Sequence, residues 1–192
     1  EKLDEIQKQH IAYAKGNLQY QPDIPIIINL AYNVHGNEPS SSEAAMLAAY
    51  TLVSSENSQI KSFRDDAIIF IDPTINPDGR DRHTQWANTY KGSPLVSDPY
   101  DAEHNEMWPR GITNHYWFDL NRDWLLAINP ESQGKLNWYH KWYPNVVTDF
   151  HEMGTQSTYF FEPMKINGSK NPIMPKDNYI KLNNLFVDYF TK

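Results

Sequence analysis

His35 and Glu38 stand three residues apart in a polar turn, VHGNEPS, that follows an apolar run and leads into a Ser-rich segment. An imidazole and a carboxylate at that spacing on a loop can both turn toward one metal ion. Zinc takes such nitrogen and oxygen donors at about 2.0–2.2 Å. The same residues also read as a plain polar loop with a helix-capping serine and an acidic first turn. Short pairs of this kind recur by chance in any chain with seven His, so the surrounding elements must decide. His151 closes a second apolar run, NVVTDF. Asp119, Asn121, Arg122 and Asp123 lie among aromatics in HYWFDLNRDW. Charged groups in such surroundings are paired or line a cleft, and arginine is the natural two-pronged grip for a carboxylate.

The elements that must position these residues follow from the apolar pattern. Residues 26–31 (IIINLA) and 67–72 (AIIFID) read as buried strands of a parallel sheet. Between them, 41–53 reads as a helix of small residues, and 54–66 as a loop or short helix. Strand, helix, strand at this spacing implies a right-handed crossover. Asn76-Pro77-Asp78-Gly79 is turn chemistry, and 84–118 is a long irregular stretch rich in Pro, Gly, Asn and aromatics, a length that marks functional or mobile loops. Residues 131–143 read as a helix stopped by Pro144, 145–150 as a third buried strand, 157–161 as a further strand, 163–175 as a loop and 177–190 as a closing helix. An amino-terminal helix over 1–15 ends at Gly16. Two strands thus end in a histidine. In open α/β sheets the carboxyl ends of strands are where ligands bind.

Composition bounds the rest. A net charge of −7 argues against a nucleic-acid surface, and no basic run suggests a membrane patch. No apolar stretch approaches the roughly 18–20 residues needed to span a bilayer. The absence of cysteine excludes disulfides and thiolate metal sites and leaves the redox compartment open. No signal-peptide pattern is present, and the start at Glu1 instead of Met reads as a processed or excised segment. His10 and His140 are expected at the surface. His83, His104 and His115 are expected to be solvated or hydrogen-bonded, and Glu152 to be a charged loop residue. Asp98, Asp101, Glu103 and Glu106 form a loose acidic cluster without EF-hand spacing.

Four segments, His35-Gly-Asn-Glu38, Asn76-Pro-Asp-Gly79, Asp119-Leu-Asn-Arg122 and Asp149-Phe-His151, occur in this order at the expected ends of strands. Together they resemble the zinc carboxypeptidases of the carboxypeptidase A type, over most of residues 24–162. The resemblance implies a three-layer α/β/α fold with a mixed, mainly parallel central sheet. It implies one zinc ion held by His35, Glu38 and His151, with a fourth position for water, the catalytic arrangement. Asp119 is implied as the carboxylate that orients a ligand histidine. Asn121 and Arg122 are implied to bind the substrate's C-terminal carboxylate. Arg110 is implied as donor to the oxyanion, with Arg80 and Arg82 as rivals.

The family's general-base glutamate stands on a late strand. The chain is expected to end, at Lys192, before that strand, and Glu152 and Glu162 come too early. The expectation is therefore one domain over 1–192, the amino-terminal, metal-binding part of the family's catalytic domain, incomplete at its C-terminal end. The implied activity is removal of C-terminal residues from peptides or proteins by zinc-activated water. The alternatives are a related zinc deacylase or amidase on N-acyl amino acids or cell-wall peptides, and a non-catalytic module that binds peptide C-termini. The resemblance also implies a secreted or periplasmic location. Oligomeric state is not legible.

Overall fold

The apolar run at 26–31 is strand β1, Ile26–Tyr32, and it is the centre of the sheet. The computed structural model describes residues 2–19, 21–154, 157 and 176–191. Its chain divides into two compact units, Glu1–Glu152 and Met153–Lys192.

In the first unit, helix α1 (Lys2–Ala14) stops at Gly16, whose φ of +71° is the left-handed conformation that a helix end of this kind requires. The amides of Gly16 and Asn17 return to the carbonyls of Tyr13 and Ala12. His10, expected at the surface, is buried instead at 7 % exposure, with Nε2 2.8 Å from the Pro25 carbonyl. Ile6 and His10 share one buried helix face, four residues apart.

Helix α2 is Pro39–Ser54, two residues longer at its start than the spacing predicts. Proline at the first helical position, where no amide hydrogen is needed, explains the earlier start. Residues 54–66 contain helix α3, Ser58–Asp66, capped by Asn57, which accepts from the Gln59 amide. Strand β2, Ala67–Asp72, pairs with β1 in parallel, Ile26 opposite Ala67 and Ala31 opposite Asp72.

The Asn76-Pro77-Asp78-Gly79 segment is not a free turn but the start of helix α4, Pro77–Tyr90. The irregular stretch therefore runs from 91 to 129, broken by short 3₁₀ turns at Ala102–His104 and Leu120–Arg122. Helix α4 carries no apolar stripe, so periodicity does not reveal it.

Helix α5, Pro130–Trp142, ends in Tyr143 at φ +46° before Pro144. It seats Trp138 and Trp142 against Phe70 of β2, ring centres 5.1 and 4.8 Å apart, and packs against α1. Strand β3, Val146–Phe150, pairs in parallel with the other edge of β1, giving the order β2-β1-β3; as an edge strand it is mostly exposed, not buried as expected. The fully buried Ile27 and Val34, with Ala45 of α2, are central to the core. Each large aliphatic buried this way contributes about 1.5–3 kcal/mol.

In the second unit, helix α6 spans Lys176–Phe190. The expected strand at 157–161, apart from Ser157, and the expected loop at 163–175 lie outside the described residues.

Candidate metal centre

Parallel pairing sets the site. Tyr32 of β1 lies opposite Phe150 of β3, their rings stacked 4.2 Å apart. Both strands therefore end at the same sheet edge. His151 follows β3 directly, and His35 follows β1 by three residues. Their imidazole centres come within 4.9 Å.

Glu38 lies between the two rings. Its Oε1 is 2.9 Å from Nδ1 of His35, and its Oε2 is 3.0 Å from Nδ1 of His151. One donor atom from each of the three residues lies within 4.8 Å of the others. Glu38 is the residue before α2, yet it makes no side-chain cap bond, because its carboxylate is turned to the imidazoles. The donors of that helix end are met from elsewhere: Glu152 accepts from the Ser40 amide at 2.6 Å and from its hydroxyl. Glu152 is thus a clamp between β3 and α2, not the loose charged residue expected. Its own amide donates to Glu38 Oε2 at 2.9 Å.

Each imidazole is also held from behind. Nε2 of His35 is 3.1 Å from Oδ1 of Asp119. Nε2 of His151 is 3.1 Å from Asp149. The Asp149 contact is not among the sequence-based expectations, although residues two apart along a strand face the same side. Carboxylates behind both rings leave both Nδ1 atoms facing the common point, the usual support for imidazoles on a metal. The hydrogen bond that Glu38 accepts, against the opposing effect of burial, raises the His35 imidazole above its ordinary range. Burial alone would raise Glu38, but the hydrogen bonds from His35 and the Glu152 amide outweigh it and hold the carboxyl below its ordinary value.

The loop carrying His35 and Glu38 is built from inside. Asn33, fully buried at φ +59°, donates to the carbonyls of His35 at 2.8 Å and Glu38 at 3.0 Å. Asparagine tolerates that left-handed backbone better than other residues with a side chain. Asn76 is 1 % exposed and joins three segments. It accepts from the Gly79 amide at 2.9 Å and donates to the carbonyls of Val34 at 3.2 Å and Ile112 at 3.3 Å. Gly36 sits against the start of α4 so closely that a Cβ would lie 2.0 Å from the Gly79 carbonyl carbon and the Arg80 amide.

The remaining expected site residues are placed as follows. Asn121 is half-buried, its Nδ2 3.4 Å from Nε2 of His151. Arg122 is exposed and, among the described residues, bonds only the Asn121 carbonyl. Arg110 is exposed, and its guanidinium makes no hydrogen bond or ion pair among the described residues. Its rivals are engaged. Arg80 bonds the Pro39 carbonyl, Ser42 and Glu43. Arg82 bonds the carbonyls of Arg110, Thr113 and Asn114. His104 and His115 face the Val96 carbonyl and Asp78. The acidic cluster is dispersed: Asp98 and Asp101 cap turns, and Glu106 points to His83.

No helix among the described residues is long and apolar enough to cross a membrane. A family model described as zinc carboxypeptidase matches residues 21–183. No curated protein matches the chain at a significant level.

Proposed function

From the premise that this chain belongs to the zinc carboxypeptidase family, we propose that it acts as a zinc-dependent carboxypeptidase on the free C-termini of peptides. The observation that carries the reading is the convergence of His35, Glu38 and His151, each imidazole held from behind by a carboxylate. Two nitrogen donors and one carboxylate suit zinc, and three protein donors leave a position open for chemistry. Zinc bound there supplies a Lewis acid and an activated water.

The chain's own residues take the binding and orienting parts. Asp119 and Asp149 contact Nε2 of His35 and His151, and so would leave each Nδ1 free to hold the metal. Arg122 and Asn121 take the substrate's terminal carboxylate, which confines cleavage to the last residue. Arg110, whose guanidinium is uncommitted among the described residues, donates to the oxyanion. Arg80 and Arg82 are committed to backbone and side-chain partners and are set aside for that role. With this reading go the amino-terminal, metal-binding part of a three-layer α/β/α domain and a secreted or periplasmic location.

The test is a matched pair of substrates. Zinc-loaded protein should release the last residue of a peptide with a free C-terminus and leave the C-terminal amide intact. A chelator should stop the reaction and zinc should restore it. Equal cleavage of the amide, or activity that survives zinc removal, overturns the proposal.

A further inference from the structure

Glu106 belongs to none of the four motif segments, yet three parts of the chain meet on its carboxylate. Its side chain is 9 % exposed. Oε1 lies 2.6 Å from Nδ1 of His83 on α4. Oε2 accepts from Nδ2 of Asn37 at 2.9 Å and from the Gly111 amide at 3.4 Å. Asn37 stands between His35 and Glu38 in the metal loop, and Gly111 follows Arg110.

The backbone repeats the same junction. The Asn37 amide donates to the Gly111 carbonyl at 3.2 Å. The Arg110 carbonyl accepts from Arg82 at 2.9 Å. At Gly111 a Cβ would lie 2.7 Å from the Gly79 carbonyl oxygen and from Cβ of His83, and 3.0 Å from Cβ of Asn37. The peptide that carries Arg110 is therefore pinned on both sides while its guanidinium stays uncommitted among the described residues. Burial alone would raise Glu106, but the bonds from His83, Asn37 and Gly111 hold it below its ordinary value and keep it ionised. A buried carboxylate shared by three donors makes charge-assisted bonds, about twice as strong as neutral ones.

We propose that Glu106 is a positioning residue that fixes Arg110 against the metal loop by joining Asn37 to Gly111. The inference rests on the reading of Arg110 as the donor to the oxyanion. It assigns to Glu106, and through it to Asn37, a part in transition-state binding that neither plays by touching substrate. His83 orients the carboxylate from the helix side.

The experiment is calorimetric binding of two probes to zinc-loaded protein: a peptide phosphonate, whose tetrahedral group mimics the intermediate, and the matching unmodified peptide carboxylate. The variants are Glu106→Gln, Asn37→Ala, Arg110→Ala and the double variant Glu106→Gln/Arg110→Ala. Zinc content is measured on each. Glu106→Gln and Asn37→Ala should each weaken the phosphonate about tenfold or more. They should leave the carboxylate probe within about twofold and the bound zinc unchanged. Arg110→Ala should weaken the phosphonate at least as much, and the double variant should match Arg110→Ala alone.

Additive losses in the double variant, or equal losses for both probes, overturn the role of Glu106 and leave the Arg110 reading standing. So does zinc loss in both Glu106→Gln and Asn37→Ala. An Arg110→Ala protein that binds the phosphonate normally overturns the oxyanion reading itself, and this inference with it. If Glu106→Gln does not fold, Asn37→Ala and its double variant with Arg110→Ala decide the matter alone, because Asn37 is partly exposed and keeps its backbone bond to Gly111.

Discussion

Asn76 offers a sharp test of how the site is built, because its three hydrogen bonds can be removed in different combinations. Its Oδ1 caps α4 through the Gly79 amide, and its Nδ2 donates to the carbonyls of Val34 and Ile112. Loss of such a cap costs about 1 kcal/mol. The two carbonyl bonds are at the long end of the normal range, so each is worth about 1 kcal/mol once its buried acceptor is left alone. Asn76→Ala should therefore cost about 3 kcal/mol. Asn76→Ser keeps a capping oxygen and loses only the two donors, for about 2 kcal/mol. Asn76→Asp keeps the cap but sets a carboxylate against two carbonyl oxygens, and should be no more stable than the alanine variant. All six Trp lie in the Glu1–Glu152 unit, so tryptophan fluorescence in a urea titration reports on that unit alone. With a slope of about 1–3 kcal/mol per molar urea, the alanine midpoint should fall by about 1–3 M. The order of stability is wild type, Ser, Ala, then Asp at or below Ala. An Asp variant more stable than Ser would refute the assignment of Nδ2 as a donor to both carbonyls.

Further outcomes follow from the same geometry. Gly36→Ala places a Cβ into the backbone at the start of α4; overpacking of this kind costs about 1–3 kcal/mol, and thermal melting together with zinc retention should both fall. Asp123 is buried, and the amides of Asn129 and Ile128 hold its carboxyl well below its ordinary 3.8. Its contribution to stability is therefore full above that value and fades as pH falls below it. Asp123→Asn should be less stable than wild type at neutral pH, with the gap narrowing below about pH 4, as a series of acid melts would show. Arg110→Ala should lower kcat by about 10²–10³, whereas Arg122→Ala should mainly raise KM for peptides with a free C-terminus; steady-state kinetics on one peptide separates the two.

The sheet was readable because β1, β2 and β3 are short apolar runs with turn residues at their ends, and because a histidine follows two of them at the same edge. The convergence of His35, Glu38 and His151 follows from parallel pairing. Helix α4 was not readable. Its polar sequence opens with strong turn residues, and what holds it is the Asn76 cap and the close approach of Gly36 and Gly111 to Gly79. His10 misled because a lone imidazole on a helix reads as surface, while its partner, the Pro25 carbonyl, is 15 residues away. Glu152 and Glu106 act through bonds to residues distant in the chain, for which local sequence pattern carries no signal, whereas Asp149 stands only two residues from its partner His151.

The central claim is that His35, Glu38 and His151 form one zinc site. Its most direct test is elemental analysis of the protein after equilibration with excess zinc and dialysis. About one zinc per chain should remain bound, and be lost in His151→Ala while the fold, followed by tryptophan fluorescence, is kept. No retained zinc in the wild type, or zinc retained undiminished in His151→Ala, would contradict it.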